Sequence, residues 1–534
     1  MHQSKNRIRP WGVGLLGVAL FATACGGDSS DATDATTAST AASATTGTPT
    51  TAGTATTAAP FVEPQSLEEW EALWTKQRAA IVQRIKDNKW GKTADGKTLI
   101  GPEGWTIDLT KCPANWSDTE GVGDGTIKIS HSLSLSGTYA DYGNLGKAID
   151  FQFGWYNDKG LFKDPSGKVF KVNYTMVDDG YDPTRTVPIV DEFLDSSKPF
   201  DIWTLGTPAT LKTYDKINQR CVPQAVAMTA HSAWGDPVNH PWTTGAVQPT
   251  YSTEAILWGA FLEQRLSEFP TTRKIKVAAL VQNNDFGKLY EVAFKSVIAN
   301  SAKLKDRVEF ISERIEAQAP TVTDPMTSMA AKEPDVWITM LAGTQCTQII
   351  TETANNGMKQ KVKYKFMPQT CPGAGFIGKD KLGGDGSAGD GWWILSPGIK
   401  DMKDSAFATD PYVMWLRGAM KAKGIDPEAS TNLSTGINYG FPVVQALAIA
   451  GQLPGGFTRT NFMLALRSFD MTSPMLRSGM QLHMNGLKDA YMAESGIFQK
   501  WDAARQTWVN QGEVINLDGK ASLCPWDQSI GACK

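Results

Sequence analysis

The first regular pattern after the N-terminal segment is a helical stripe. Residues 66–88 repeat apolar side chains at three- and four-residue spacing, with charged residues opposite them. The apolar positions are Leu67, Trp70, Leu73, Trp74, Ile81 and Ile85. Turns and a short hairpin are predicted to follow, up to residue 115. We interpret 61–123 as a helical collar packed on the main body, not as a separate domain.

From residue 124 the pattern changes to short apolar runs that alternate with helical stripes. The predicted strands are TIKISHSLS (126–134), KVNYTMVDD (171–179), FDIWTLG (200–206) and VPQAVAM (222–228). The helices predicted between them cover 144–158, 184–195 and 211–218. Strand–helix alternation of this kind predicts a parallel sheet with helices on both faces.

The same alternation then begins again. Predicted strands cover 274–282, 307–313, 335–341 and 362–368, and predicted helices cover 253–268, 286–300, 324–332 and 345–356. Later come WWILS (392–396), helices at 409–423 and 436–452, and β-like pieces at 480–484, 496–502 and 507–515. This part of the chain is too long to fold around one hydrophobic core of ordinary size. The two α/β units therefore indicate two lobes.

The N-terminal segment has the features of an export signal. Lys5, Arg7 and Arg9 precede the apolar run WGVGLLGVALFATA, and Cys25 follows at once. The stretch ATAC (22–25) resembles the lipobox of bacterial lipoproteins, which implies a signal peptide over 1–24 and a lipid on Cys25. The alternative is an ordinary signal peptide with a free Cys25. Residues 25–60 are rich in Ser, Thr and Ala, cannot bury a core, and predict a tether.

Composition narrows the function classes. The net charge of −3 argues against a nucleic-acid partner. Five histidines and no CxxC spacing argue against a zinc site, and we expect no metal or cofactor. Six cysteines besides Cys25 indicate disulfides in an exported chain, with 15 possible pairings. Our preferred pairs are Cys524 with Cys533, Cys346 with Cys371, and the remaining Cys112 with Cys221.

Ligands of open parallel sheets lie beyond the carboxyl ends of the strands. The loops at that position are 132–143, 179–183, 206–210, 229–236, 283–287, 342–346 and 369–374. They are rich in Ser, Thr, Gly, Asn and aromatic residues. Hydroxyls and N–H groups at helix starts suit anionic groups, and aromatics supply apolar contact, so these loops predict a small-molecule site.

The order of these loops resembles the branched-chain-amino-acid type of periplasmic binding protein. The resemblance rests on SLSLSGTYADYG, DDGYDPTRTV, LGTPAT, AMTAHSA, VQNNDFG and KFMPQTC. It implies the type I fold, an α/β class with two Rossmann-like lobes joined by three crossover strands. The implied division is 124–248 plus 393–480 for lobe 1, 249–392 plus 481–520 for lobe 2, and 521–534 for a C-terminal disulfide loop.

The resemblance also implies the ligand-binding residues. Tyr142 is expected on the ligand, with Ser136 near the mouth of the cleft. The carboxylate-binding loops are expected at Thr207 and Pro208 and at Ala230, His231 and Ser232. From the other lobe, Phe286 is expected to cover the ligand, and Thr344 and Gln369 to complete the ammonium site. Gln369 stands where an acidic residue is expected, which favours a carboxylate with an apolar body over an α-amino acid.

The function implied is capture of a small solute, an amino acid or a small carboxylate or amide, outside the cytoplasm for an ABC permease and its ATPase. A ligand sensor with the same clamp is the first alternative, and a secreted hydrolase is a weaker one. His131 and His231 are candidates for an acid/base or metal pair, and Asp178, Asp179 and Asp182 for a metal site. We favour a bystander role for the histidines and a structural turn for the aspartates. No GxSxG, P-loop or HExxH motif appears, so we expect no enzyme.

Overall fold

The computed structural model of the protein describes residues 61–534. The signal peptide, the lipid-bearing Cys25 and the tether predicted for residues 1–60 lie outside this range. The described chain begins with helix α1 (Leu67–Asp87) and a three-stranded antiparallel sheet of β1 (Gly91–Lys92), β2 (Thr98–Ile100) and β3 (Thr106–Asp108).

The predicted stripe of α1 packs on the main body. The Ser66 side chain caps the helix by accepting a hydrogen bond from the Glu69 N–H. Trp74 is buried, and its Nε1 donates to the Thr472 carbonyl at 3.0 Å. Arg78 donates to Gln445 Oε1 at 2.6 Å. These contacts are those of a segment fastened to the body along its length.

The first sheet is built around β5 (Thr126–Leu133). It forms parallel pairs with β6 (Lys171–Asp178) and β7 (Asp201–Thr204), and an antiparallel hairpin with β4 (Val122–Gly123). The helices that follow these strands are α2 (Gly143–Lys159), α3 (Pro183–Glu192) and α4 (Thr207–Gln219).

The strand predicted at 222–228 is wrong as a regular strand. This segment makes only isolated bridges, Leu205 with Met228 and Gln224 with Thr243. Val226 has a left-handed backbone, with φ of 51°, which turns the chain out of the extended conformation and interrupts the ladder. The segment still lies at the sheet edge, because the Met228 N–H donates to the Thr204 carbonyl.

The second sheet has seven strands and follows α5 (Tyr251–Gln264). Its strands are β8 (Ile275–Gln282), β9 (Val308–Ile315), β10 (Val336–Met340), β11 (Tyr364–Met367), β12 (Trp392–Ser396), β15 (Ile497–Asp502) and β16 (Thr507–Asn510). Their order is β16-β15-β12-β11-β10-β8-β9, and β15 alone runs antiparallel to its neighbours β12 and β16, while the other pairs are parallel. The helices between them are α6 (Asp285–Asn300), α7 (Thr323–Ala330), α8 (Gln345–Asn355), α9 (Met358–Lys361), α10 (Ala374–Ile377) and α11 (Lys379–Leu382).

After β12 the chain returns to the first lobe as α12 (Pro411–Ala422), α13 (Asn432–Ala450) and α14 (Arg459–Arg467). Helix α13 packs closely on α2, and a Cβ at Gly436 would lie 2.4 Å from the Leu145 carbonyl oxygen. A small hairpin of β13 (Asp470–Met471) and β14 (Leu482–His483) follows.

Strand pairing and one side-chain contact bear on the predicted division into lobes. Residues 393–396 belong to the second sheet, because β12 is paired with β11 along its buried apolar residues. Residues 497–502 and 507–510 pair in the second sheet as β15 and β16, and the Tyr491 hydroxyl donates to the first-lobe Ser232 carbonyl at 2.8 Å.

Three disulfides confirm the predicted pairings. Cys112–Cys221 joins the collar to the first lobe, and Cys346–Cys371 lies within the second. Cys524–Cys533 closes the terminal loop, where β17 (Trp526–Asp527) pairs with β18 (Ala532–Cys533). Within residues 61–534, none of the helices combines the length and hydropathy needed to cross a membrane.

Candidate ligand-binding cleft

A cavity of about 70 Å³ lies between the two lobes, where the carboxyl ends of the strands face each other. Eighteen residues from both lobes and the connecting helices line it: Tyr142, Leu145, Tyr181, Leu205, Gly206, Thr207, Met228, Thr229, Gln248, Tyr251, Phe286, Ala342, Gln369, Thr370, Pro372, Asn432, Thr435 and Tyr439. None of these side chains is ionisable in the ordinary pH range except the tyrosines. The cavity therefore offers hydroxyls, amides and apolar surface, but no formal charge.

Tyrosines of the first lobe form one wall. The rings of Tyr139 and Tyr181 stack with centroids 4.1 Å apart, and Tyr139 stacks on Tyr142 at 5.9 Å. Burial raises the pKa of Tyr181 well above its ordinary value, so its phenol stays neutral. Gly206 has φ of +90°, and a Cβ there would lie 2.5 Å from the Tyr181 ring. Only glycine fits this turn, which brings the start of α4 against the aromatic wall.

The start of α4 presents hydroxyls to the cavity. Thr207 Oγ1 and Thr229 Oγ1 are hydrogen bonded at 2.5 Å, and Thr229 lies 3.4 Å from the Tyr251 hydroxyl. The first N–H groups of a helix have no partner within the helix and carry partial positive charge. Thr207 and Thr229 therefore form a hydroxyl corner of the first lobe, a polar surface of neutral groups that can bind an anionic group.

The second lobe contributes an aromatic ring and an amide. Phe286 begins α6 and packs edge-on against Tyr251, with ring centroids 5.0 Å apart. Gln369 follows β11, and its Nε2 donates to the Pro249 carbonyl at 2.8 Å. Gln369 Oε1 is buried and has no hydrogen-bond partner in the described protein, which leaves one acceptor for a ligand donor.

A carboxyl group lies behind Gln369 and outside the cavity lining. Glu254 accepts a hydrogen bond from the Gln369 N–H at 2.9 Å and another from the Tyr290 hydroxyl. Burial raises the pKa of Glu254 to about 8, although these hydrogen bonds oppose the shift. Glu254 is therefore mostly neutral at pH 7, and it supplies no counter-charge for a ligand ammonium.

Direct contacts close the two lobes over the cavity. The Tyr139 hydroxyl donates to the Ala317 carbonyl at 2.9 Å and accepts from Gln282 Nε2 at 2.6 Å. The Gly343 N–H donates to the Tyr142 hydroxyl at 3.2 Å. The cavity is smaller than the roughly 300 Å³ at which ligand pockets begin, so a ligand enters only when the lobes or the tyrosines move.

A larger cavity of about 390 Å³ lies beside the first. The two cavities share Tyr142 and Asn432, and Thr344, Asp141 and Lys381 line the outer one. The outer cavity thus continues the cleft away from the uncharged inner space.

The predicted site residues divide into three groups. Tyr142, Thr207, Phe286 and Gln369 line the inner cavity. Thr344 lines the outer cavity. Ser136, Pro208, Ala230, His231 and Ser232 line neither.

Three residues of the third group make contacts elsewhere in the protein. The Ser136 hydroxyl donates to Asp178 Oδ2 at 2.6 Å. His231 is buried against Trp526, with ring centroids 4.4 Å apart, and its Nδ1 accepts from the Ala233 N–H. Ser232 Oγ donates to Ser252 Oγ at 2.8 Å. These contacts hold the loops in place and turn the side chains away from the inner cavity.

The contacts of the histidines and aspartates in the first-lobe loops do not support an acid/base pair or a metal site. His131 pairs with the Tyr174 hydroxyl at 2.5 Å, and burial lowers the pKa values of His131 and His231 to about 3. Asp178 and Asp179 accept hydrogen bonds from their own turn and from Ser132, Ser136 and Thr186. Asp182 caps α3. The histidines are core residues, and the aspartates build a turn.

Several lining residues escaped sequence analysis. Asn432, Thr435 and Tyr439 lie on one face of α13, which begins four residues earlier than predicted. Polar side chains at positions i, i+3 and i+7 of an otherwise apolar helix are the signal that was available. Tyr251 gave no local signal, because tyrosines are equally common in cores.

One family profile identifies the family to which the chain belongs. The profile of the family described as "Periplasmic binding protein" matches residues 126–500. The chain belongs to this family. Membership implies an extracytoplasmic location, in agreement with the predicted export signal. No curated protein shows significant sequence similarity to the chain.

Solved structures share the fold at low sequence identity. A branched-chain amino acid ABC transporter protein from Thermus thermophilus with bound valine has a TM-score of 0.62 at 15% identity, covering 74% of this chain and 97% of its own. A fatty acid ABC transporter substrate-binding protein from Thermomonospora curvata has a TM-score of 0.60 at 18% identity, covering 81% and 99%. A solute-binding protein from Rhodopseudomonas palustris BisB5 in complex with 3,4-dihydroxybenzoic acid has a TM-score of 0.57 at 17% identity, covering 74% and 98%. The type I fold expected from the sequence is confirmed.

Proposed function

We propose that this protein captures a small solute between its lobes and delivers it to an ABC importer permease and its ATPase. The observation that carries the proposal is the inner cavity, which is closed by contacts of Tyr139 and Tyr142 with the opposite lobe. A ligand that makes contacts with both lobes binds the closed form more tightly and shifts the population toward it.

The composition of the cavity separates a binding site from an active site. Its lining contains no Ser, Cys, His, Asp, Glu, Lys or Arg. Threonine and tyrosine hydroxyls are the lining groups that could act as a nucleophile, and no His, Asp, Glu or Lys lies in the lining to activate them. Binding without turnover is the function that this lining supports.

The ligand class follows from the same lining. An α-amino acid would bury its ammonium beside the Gln369 amide and a mostly neutral Glu254, with no carboxylate to pair with it. A ligand carboxylate can accept hydrogen bonds from the hydroxyl corner, and the apolar body of the same ligand can lie against Phe286. The ligand we propose is a small carboxylate, or an amide of similar shape, with an apolar body.

Isothermal titration tests the ligand class. We expect one aliphatic or aromatic carboxylate or amide to bind at one site per chain, and leucine and valine to bind at least about tenfold more weakly, since the missing counter-charge costs more than 1.4 kcal/mol. Tight binding of leucine or valine would contradict the proposed class. Recovery of chemically altered ligand would contradict pure binding.

The importer role and the lipid anchor are tested in cells. Deletion of the gene should abolish uptake of the labelled ligand, and unchanged uptake together with an altered transcriptional response would favour a sensor. Cys25→Ser should release the protein from the membrane fraction. If the Cys25→Ser protein stays membrane-bound, the anchor is not at Cys25.

A further inference from the structure

Three side chains near the C-terminus converge outside the ligand cleft. His483 ends β14, Asp489 follows in the next tight turn, and Asp518 comes from the tail beyond β16. His483 Nδ1 lies 3.0 Å from Asp489 Oδ2 and 3.3 Å from Asp518 Oδ2. One nitrogen and two carboxylate oxygens thus meet within 4.8 Å of one another.

These atoms are close together without satisfying one another. Asp489 is only 2% exposed, yet its Oδ2 has no hydrogen-bond partner in residues 61–534, and neither has His483 Nδ1. The carboxylate oxygens are near the nitrogen but off the direction in which its N–H would donate. A buried carboxylate oxygen without a donor is costly. The cost can be offset by a protonated His483, which lies within ion-pair distance of both carboxylates, or by a metal ion between the three atoms.

A second histidine shows what an ordinary pair looks like in the same protein. His240 binds Asp215 through Nε2 at 2.7 Å and Asp236 through Nδ1 at 3.2 Å, and both contacts are hydrogen bonds. Each of its nitrogens faces one carboxylate. At His483 both carboxylates lie next to the same nitrogen, Nδ1.

The separations fit a small divalent ion. Zinc bonds of 2.0–2.2 Å to nitrogen and oxygen in tetrahedral geometry place neighbouring ligand atoms about 3.4 Å apart. The imidazole ligand favours zinc over calcium or magnesium, which prefer all-oxygen sites. His483 and Asp518 are partly exposed, at 22% and 27% of their side chains, so an ion and a completing water have access.

We propose that His483, Asp489 and Asp518 bind a divalent transition-metal ion, with Zn²⁺ as the best-fitting ion. The ion fastens the C-terminal tail to the β13–β14 hairpin. The neighbouring carboxylate of Glu494 already holds this tail by accepting the Gly519 and Ala521 N–H groups. A site with one histidine and two aspartates needs neither a CxxC motif nor many histidines, so the composition that predicts no zinc site does not exclude it.

The test compares zinc binding by the untagged full chain and three variants. The proposal predicts one tightly bound Zn²⁺ per chain by calorimetry, and a rise in melting temperature with Zn²⁺. Asp518→Asn, at the most exposed ligand, should weaken the affinity at least about tenfold, the smallest loss typical of an outer-shell partner, and remove the rise. His483→Gln should do the same. His240→Gln is the matched control and should bind zinc like the wild type.

Each other outcome overturns a stated part of the proposal. Equal zinc binding by the wild type and Asp518→Asn would place any ion elsewhere in the chain. Stabilisation by Ca²⁺ but not by Zn²⁺, lost in Asp518→Asn, would overturn the choice of ion. Binding of neither ion would show that the cluster is an ion pair of a charged His483 with two carboxylates.

Discussion

The two lobes meet at the inner cavity with different surfaces. The first lobe brings a wall of stacked tyrosines and the hydroxyl corner of Thr207 and Thr229. The second lobe brings Phe286 and Gln369, with the carboxyl of Glu254 buried behind them. The difference indicates a division of labour. In the proposed function, the first lobe orients the polar head of a ligand, while the second covers its body and excludes a cationic head.

The largest effect is expected at the hydroxyl corner. Thr207→Val keeps the shape of the side chain but removes its hydroxyl, and we expect a loss of affinity of about 10- to 100-fold, the worth of a hydrogen bond to a charged group. Thr370→Val is the matched control in the second lobe, because the Thr370 hydroxyl already donates to the Leu341 carbonyl at 2.7 Å. Calorimetry that finds equal losses would remove the distinction between the lobes.

The next largest effect is expected where the two lobes close on each other. A Cβ at Gly343 would lie 2.7 Å from the Tyr139 ring. Gly343→Ala should therefore hold the lobes apart and weaken ligand binding by about tenfold, the equivalent of 1.4 kcal/mol. Gly357→Ala is the control, because Gly357 has a similar φ of +79° against +66° but open space around it. Both variants share the backbone strain, so only Gly343→Ala should lose affinity.

The buried carboxyl gives the second lobe a pH signature. Glu254 keeps its proton up to a pH of about 8 in the folded protein, whereas the ordinary value is 4.5. Stability from this group is complete below pH 4.5 and falls as the pH rises to 8, by about 1.4 kcal/mol per pH unit. Glu254→Gln should flatten the fall in denaturation midpoints over this range. A parallel profile for variant and wild type would mean that Glu254 is ionised when folded.

The smallest effect is expected at the aromatic cover. Phe286→Leu keeps apolar contact but loses the ring, so affinity for an aromatic carboxylate should fall roughly three- to tenfold. An aliphatic carboxylate of similar length should be affected less. Equal losses for both ligands in a competition titration would mean that Phe286 does not face the ligand body.

Periodicity predicted the parts of the fold that repeat. The stripe of α1 and the strands of the second sheet appear close to their predicted positions, because each buries a regular apolar pattern. The segment at 222–228 has the same apolar composition but breaks at Val226, where a backbone conformation and not a pattern decides the structure. Strand β12 was misassigned because its two tryptophans and its isoleucine suit either sheet equally well.

The site was predictable only where a loop follows a strand. Thr207 and Phe286 come directly after strands and line the cavity as expected. His231 and Ser232 also follow an apolar run, yet the tail residue Trp526 and Ser252 occupy them through long-range contacts that no local pattern records. The sequence shows an uncharged Gln369 where an acidic residue is expected. The raised pKa of Glu254 behind it depends on burial, which the sequence does not record.

The central claim is that the inner cavity closes on a carboxylate or amide and rejects an ammonium group. Its most direct test is a thermal-shift screen of residues 61–534 against matched pairs, each an aliphatic or aromatic acid and the corresponding α-amino acid. A ligand at 100 times its Kd adds about 2.7 kcal/mol of stability, which shifts the melting temperature measurably. An inner cavity that binds carboxylates predicts shifts for one or more acids, weaker shifts for their amino-acid partners, and loss of the shift in Thr207→Val. Larger shifts with the amino acids would contradict it.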